Sequence, residues 1–275
     1  MVFFPCLYRL LQNSSIQQIF NYTNGLLSLL HFLFFTQITP KHGCFAAALS
    51  SLQEPRNYQQ AKDKREWMEA MQAEIIALER NNTWITTQLP DNKKAIGCRW
   101  MYKLKLKPDG TVEFKARLVA KGYSQMEGVD YTDCFAPVAK TVTVRVFLAI
   151  AASKGWPIHH FDVNNAFLHS TLEEDIYMEP LEGYQVPEGH VCKLVKSLYG
   201  LKQASRKWNE DFTERIKSFG FTQSKHDYCL FTKATDTGLI SLLLYVDDIL
   251  VTGPTETHIS DIKGYLIRLF TIKDL

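Results

Sequence analysis

The stretch LLLYVDDILVTG, residues 242–253, sets two adjacent aspartates inside an apolar run that otherwise reads as a buried strand. A carboxylate in such a setting is costly unless something offsets its desolvation. The simplest geometry that spares Asp247 and Asp248 is a bend, with residues 239–245 and 249–252 as strands on either side. A second apolar strand carries an acid in the same way, HHFDVNNAFL with Asp162, 85 residues before Asp247. Three carboxylates at strand ends suit hard divalent cations, which want oxygen ligands. Two such ions ~4 Å apart would clamp the attacking and leaving oxygens of an in-line phosphoryl displacement. Adjacent acids also simply solvate a turn, and on these residues alone both readings stand.

The rest of the chain reads as a globular domain with one atypical end. The first 40 residues hold a single charge, Arg9, and an apolar run GLLSLLHFLFF from 25 to 35. That run is shorter than the ~20 apolar residues that span a bilayer. It lacks the basic start and nearby small-residue cleavage site of a signal peptide. Residues 1–50 are therefore expected to be an apolar, poorly ordered extension, and residues 51–275 the working domain. The six cysteines show no C-x-x-C spacing, which argues against a zinc site or a disulfide framework and for a reducing, intracellular setting.

Apolar periodicity predicts a helix over 62–81, with Trp67, Met71, Ile75 and Leu78 on one face. Residues 98–121 predict a hairpin about Pro108-Asp109-Gly110, a turn with a fixed φ, an Asx bond and a permissive glycine. Both strands alternate, so Lys103, Lys105, Lys115 and Arg117 share a face opposite Trp100, Tyr102, Phe114 and Leu118. Nine cations face only two acids between Lys93 and Lys121, whereas Glu173 to Glu188 is acidic. Further helices are predicted over 141–155, with Val142, Val146, Ala149 and Ala152 inward and Gly155 as its stop, over 203–219, and over 257–270. The order of elements implies an α+β fold with a mainly antiparallel sheet. His159 and His160 are neighbours on a strand, point to opposite faces and cannot share an ion, so both read as structural.

Several longer blocks add a resemblance. NNTWITTQLP, GCRWMYKLKLKPDGTVEFKARLVAKGYSQMEGVDYTDCFAPVAK, FDVNNAFLHSTLEEDIYMEPLEGY, VCKLVKSLYGLKQASRKW, GFTQSKHDYCLF and LLLYVDDILVTG stand in the order seen in copia-type long-terminal-repeat retrotransposons. From about Ser51 onward the chain resembles their reverse transcriptase domain. The resemblance implies a right-hand polymerase with fingers and palm and RNA-directed DNA synthesis. It implies two Mg2+ ions, with Mn2+ as a substitute. The partners would be an RNA or DNA template with primer and deoxynucleoside triphosphates, with no membrane partner, in cytoplasm or nucleus. Asp162, Asp247 and Asp248 match the family's catalytic, metal-binding aspartates, Asp248 the least central.

Phe167 matches the position whose ring blocks a ribose 2′-hydroxyl, although a core aromatic is an equal reading of it. Lys115, Arg117 and Gly200 are candidates for the nucleotide. Lys103, Lys105, Lys202, Gln203, Arg206 and Tyr245 are candidates for template and primer. Ser205 stands where many members have proline. The chain stops at FTIKDL, so a thumb and a ribonuclease H domain are expected to be missing, as in a polyprotein fragment. A silent remnant that only binds nucleic acid is the alternative; a two-metal nuclease or phosphatase is disfavoured by the same blocks.

Overall fold

The computed structural model describes residues 53–107 and 111–275. The chain divides into two units, Met1–Gln53 and Glu54–Leu275. The expected extension over 1–50 and the turn at Pro108-Asp109-Gly110 lie outside the described residues.

A single helical turn, α1 (Tyr58–Ala61), precedes α2 (Arg65–Arg80), which buries Trp67, Met71, Ile75 and Leu78 as its spacing predicts. After β1 (Trp84–Gln88) and β2 (Ala95–Ile96) comes the hairpin of β3 (Cys98–Leu106) and β4 (Val112–Ala120). Its apolar face lies on α2: the Trp67 ring meets Tyr102 and Phe114 edge-on, with centroids 5.3 and 4.9 Å away. The register opposes Met101 to Arg117, Lys103 to Lys115 and Lys105 to Glu113, so the cations share the other face.

Helix α3 (Thr141–Lys154) ends at Gly155, whose φ of 64° is the left-handed cap expected of it. Its buried side is not the expected one. Phe147 and Ala151 face inward, while Val142 and Val146 are 69% and 51% exposed and Ala149 and Ala152 are exposed too. The helix is apolar on more than one side, so periodicity offers several stripes, and tertiary packing takes the one with the large aromatic ring.

The largest sheet is antiparallel throughout. It is built from β5 (Ile158–Val163), β8 (Thr222–Gln223), β9 (Leu230–Thr235), β10 (Gly238–Tyr245), β11 (Asp248–Thr252) and β12 (Ile272–Asp274), in the order β12-β5-β11-β10-β9-β8. Helix α4 (Ala204–Ser218) lies against it through Phe212, 6.1 Å from Phe231. Helix α5 (Glu256–Leu269) buries Ile259, Ile262 and Leu266. A second sheet, in the order β1-β7-β6-β2, adds β6 (Thr171–Met178) and β7 (His190–Lys196), with β2 and β6 parallel. Periodicity does not announce β6, because Glu173, Glu174 and Asp175 sit in it and acids are poor strand formers. Cross-strand and helix partners supply the compensation: Lys193 reaches Asp175 at 2.6 Å and Lys207 reaches Glu173 at 3.3 Å. The fold is α+β, as expected.

Candidate active site

The three aspartates meet at one end of the large sheet. Strands β5 and β11 pair with Asp162 directly opposite Asp248, and Tyr245 faces Asp248 from β10. Val246 and Asp247 form the two-residue bend between β10 and β11. The Asp247 carbonyl accepts the Val163 N–H at 2.9 Å, which ties the bend to the end of β5. Like charges directly opposite each other destabilise a sheet. Two neighbours oppose that here. Lys273 takes the register position across from Asp162 on β12, and His160 Nε2 lies 2.6 Å from Asp248 Oδ1 with its ring almost wholly buried. His159 turns the other way, to Glu256 at 3.0 Å. Alternation thus separates the two histidines as expected, but His160 is more than structural filling: it holds one of the candidate carboxylates. The clue in the sequence was its period-2 phase with Asp162.

Burial, above all, pushes the Asp247 carboxyl above its usual range; Asp248 and Asp162 add to the shift, while its own backbone N–H and Arg117 oppose it. A carboxyl raised in the folded state binds its proton more tightly there than in the unfolded chain. Its destabilising effect is therefore absent below the unfolded value near 3.8 and complete once pH has risen past the folded one. Asp247→Asn should stabilise the metal-free chain at pH 7 by roughly 0.5–2 kcal/mol, a common gain at such sites. The advantage should shrink as pH falls toward 4. Thermal melts of both proteins across pH 4–7 check this, and an advantage that grows on acidification would refute it.

Opposite the carboxylates stands the cationic face of the hairpin. The Arg117 guanidinium lies 4.5 Å from the centre of the Tyr199 ring. Its Nε is buried and finds no hydrogen-bond partner among the described residues. Such an atom forfeits roughly 1–3 kcal/mol until something accepts from it. Burial pushes the Tyr199 phenol up to about 12, with Asp247, Glu74 and Asp162 adding to the shift and Arg117 opposing it. The Phe167 ring packs 4.6 Å from Tyr199. The Lys115 ammonium is held low by burial and by Lys105 and Arg117, against the pull of Glu113 and Asp162. From α2, Glu74 accepts the Leu118 N–H at 3.3 Å; burial raises its carboxyl despite that bond and the two cations. Tyr199, which sequence reading passed over inside SLYGLKQ, thus joins hairpin and carboxylates. Only the fold reveals this.

The other candidates divide. Lys105 and Lys202 are exposed, and Tyr245 is half-buried. Lys103 is ion-paired with Glu54 at 3.0 Å, and the same carboxylate accepts the Leu104 N–H. Arg206 is engaged by Glu210 at 2.8 Å and Asp133 at 3.4 Å. Gln203 is 1% exposed, donates to the Asp130 carbonyl and accepts from Gln125. A template contact by Gln203 would require breaking both bonds. At Gly200 the close approach is to the protein's own backbone: a Cβ there would sit 2.2 Å from the Ala120 carbonyl oxygen.

Among the described residues no group of three or more His, Cys, Asp or Glu side chains is gathered closely enough to hold a metal ion alone. Mg2+ is commonly held by one or two carboxylates, with phosphate and water oxygens completing its shell. Asp162 and Asp247 are an all-oxygen pair of that kind, with Asp248 drawn toward His160.

A profile described as reverse transcriptase (RNA-dependent DNA polymerase) matches residues 81–275. The chain belongs to the reverse transcriptase family. The retrovirus-related Pol polyprotein from transposon RE1 of Arabidopsis thaliana is 40% identical over 239 residues, 86% of this chain and 16% of that protein. That from transposon TNT 1-94 of Nicotiana tabacum is 43% identical over 217 residues, 78% of this chain and again 16% of the relative. This reverse transcriptase chain thus spans about a sixth of the length of those relatives. The prototype foamy virus protease–reverse transcriptase has a TM-score of 0.38 and 11% identity over 77% of this chain and 24% of its own, too distant to add to the assignment. No helix among the described residues is long and apolar enough to cross a membrane.

Proposed function

We propose that the chain is the fingers and palm of an RNA-directed DNA polymerase from a retrotransposon polyprotein. In this reading α2 and the β3–β4 hairpin are fingers, and the sheet that carries the aspartates is palm. The reaction is attack of a primer 3′-hydroxyl on the α-phosphate of a deoxynucleoside triphosphate, with pyrophosphate leaving. One observation carries the reading most: the Arg117 guanidinium lies 4.5 Å from the centre of the Tyr199 ring with its buried Nε unpartnered among the described residues, and Asp247 and Asp162 act on the same Tyr199 phenol. A nucleotide triphosphate is a ligand that fits both sides, with anionic oxygens for the cations and shared metal ions for the carboxylates.

Arg117 would bring the missing acceptor to its buried Nε by gripping the triphosphate, which a guanidinium does bidentately. Lys115 adds a second donor. Phe167, 9% exposed and braced on Tyr199, would form the floor beneath the sugar and exclude a 2′-hydroxyl by bulk. The neutral Tyr199 phenol is a donor near that sugar. Asp162 and Asp247 would hold Mg2+, or Mn2+ in its place; when bound, the metal neutralises charge on the attacking and leaving oxygens. Lys105 and Lys202 are exposed and, with Tyr245 at the end of β10, would contact the template and primer strands, where a row of cations neutralises backbone phosphates. Lys103, Arg206 and Gln203 could join them only by giving up their present partners. The reading places the chain inside the cell, in cytoplasm or nucleus, where templates and nucleotides are.

Primer extension on an RNA template with the purified chain tests this. Magnesium-dependent incorporation is expected. Retardation of primer–template in a gel without any extension would favour the second reading, a silent remnant that binds through the Lys103–Lys121 cations.

A further inference from the structure

Three described non-glycine residues have positive φ: Asn82 at 49°, Asn165 at 52° and Val246 at 58°. Asparagine tolerates this region; a β-branched residue there is an outlier that surrounding structure must enforce. Val246 is also the residue before Asp247, so the strain lies in the backbone that aims that carboxylate. Its side chain is 37% exposed. A two-residue hairpin turn closed by the Tyr245–Asp248 pair asks for positive φ at its first residue, and the Trp208 indole N–H donates to the Val246 carbonyl at 2.6 Å.

Trp208 is 1% exposed. Its ring lies between Phe212 on its own helix, 5.5 Å away, and Phe270 after α5, 5.1 Å away, with His169 at 6.3 Å. A ring boxed in this way cannot follow the bend if the bend relaxes. The next carbonyl, that of Asp247, is held by the Val163 N–H at 2.9 Å. The two peptides that flank the Asp247 Cα are therefore anchored separately, one to helix α4 and one to strand β5.

We propose that Trp208 is a positioning residue: its fixed indole N–H holds the strained Val246–Asp247 peptide in the left-handed conformation and so aims the Asp247 carboxylate toward Asp162. A buried tryptophan also needs some acceptor for its N–H, and the test must separate that general need from positioning. The proposal rests on the reading of Asp247 as a metal ligand, so that reading has its own arm.

The measurement is Mn2+ affinity of the full chain by electron paramagnetic resonance, without nucleic acid. Four variants are compared with the unmutated protein: Asp247→Asn, Trp208→Phe, Val246→Asn and the double Trp208→Phe/Val246→Asn. Asp247→Asn should lose at least about 10-fold in affinity, as expected for loss of a ligand, and Trp208→Phe roughly 10-fold, as for loss of an outer-shell support. Asparagine adopts the left-handed region unaided. The double variant should therefore bind within about twofold of Val246→Asn alone, a rescue that a purely structural tryptophan would not show. Where extension is measurable, Trp208→Phe should lower kcat and leave KM for the nucleotide within about twofold, the pattern of a group acting through the transition state.

If Asp247→Asn binds Mn2+ as the unmutated chain does, the metal reading falls and this proposal with it. If Asp247→Asn loses affinity but Trp208→Phe does not, or loses it equally in both backgrounds, the positioning role alone is overturned. Should Trp208→Phe fail to fold, Val246→Asn carries the test: relief of strain should raise Tm by roughly 2–4 °C in a domain of this size, and a fall in Tm overturns the proposal.

Discussion

Asp162→Asn and Asp247→Asn should each lower magnesium-dependent primer extension by at least ~10³-fold, a loss of about 4 kcal/mol in transition-state stabilisation. Asp248→Asn should cost only about 10-fold, or ~1.4 kcal/mol. The ranking follows from geometry. Asp247 sits at the apex of the bend with a carboxyl that burial and two neighbouring acids push up, a state that bound cations relieve. Asp162 is its partner on the adjacent strand's end. Asp248 shares the register pair with Asp162, but one of its oxygens is already engaged by His160 at 2.6 Å. Single-nucleotide incorporation at saturating template reads all three. Equal losses at the three positions would refute the unequal roles, and full activity in Asp162→Asn would remove it from the site. The substitutions keep the size and shape of the side chain while removing its charge, and thermal melts of the three variants separate lost activity from lost folding.

Gly200→Ala should destabilise the fold by roughly 3–5 kcal/mol, combining left-handed strain with overpacking against rigid backbone. Its φ is 94°, and the added Cβ would meet the Ala120 carbonyl oxygen at 2.2 Å and the Val119 Cγ1 at 2.7 Å. Gly122 is the other half of the crossing, since a Cβ there would lie 2.0 Å from the Gly200 carbonyl oxygen. Between them the Ala120 N–H donates to the Tyr199 carbonyl at 2.7 Å. This is the seam that brings Tyr199 beneath Arg117. Gly155→Ala is the control. That glycine also has positive φ, 64°, but nothing lies within 4 Å of its added Cβ, so only about 1 kcal/mol is expected. In thermal melts the two should differ by roughly 4–16 °C at 2–4 °C per kcal/mol. Equal shifts would mean that the close approach is not real.

Much of this was legible beforehand because it rests on local period. The α2 stripe Trp67, Met71, Ile75 and Leu78 came out as its spacing of three and four requires. The hairpin faces followed from strict alternation, and the bend at Asp247 from the cost of burying a charge. Where period was ambiguous, the reading slipped. Helix α3 is apolar on several sides, and it buries Phe147 rather than Val142 and Val146. Strand β6 hid behind three acids whose compensating lysines come from β7 and α4. Gln203 and Arg206 look like phosphate contacts in a basic block, yet their partners Asp130 and Asp133 lie some 70 residues earlier.

The sequence by itself determined the main helices and the hairpin, the set of three aspartates and, through its ordered blocks, the family. Tertiary structure alone decided which groups act together. It put Asp162 opposite Asp248, turned His160 to one carboxylate, slid Tyr199 under Arg117 and set Trp208 beneath Val246. The reason is one of range. Periodicity and burial cost act over a few residues and are written in any short window, whereas each of those pairings joins residues dozens of positions apart. Their distances are fixed only when three sheets and their helices close on one core.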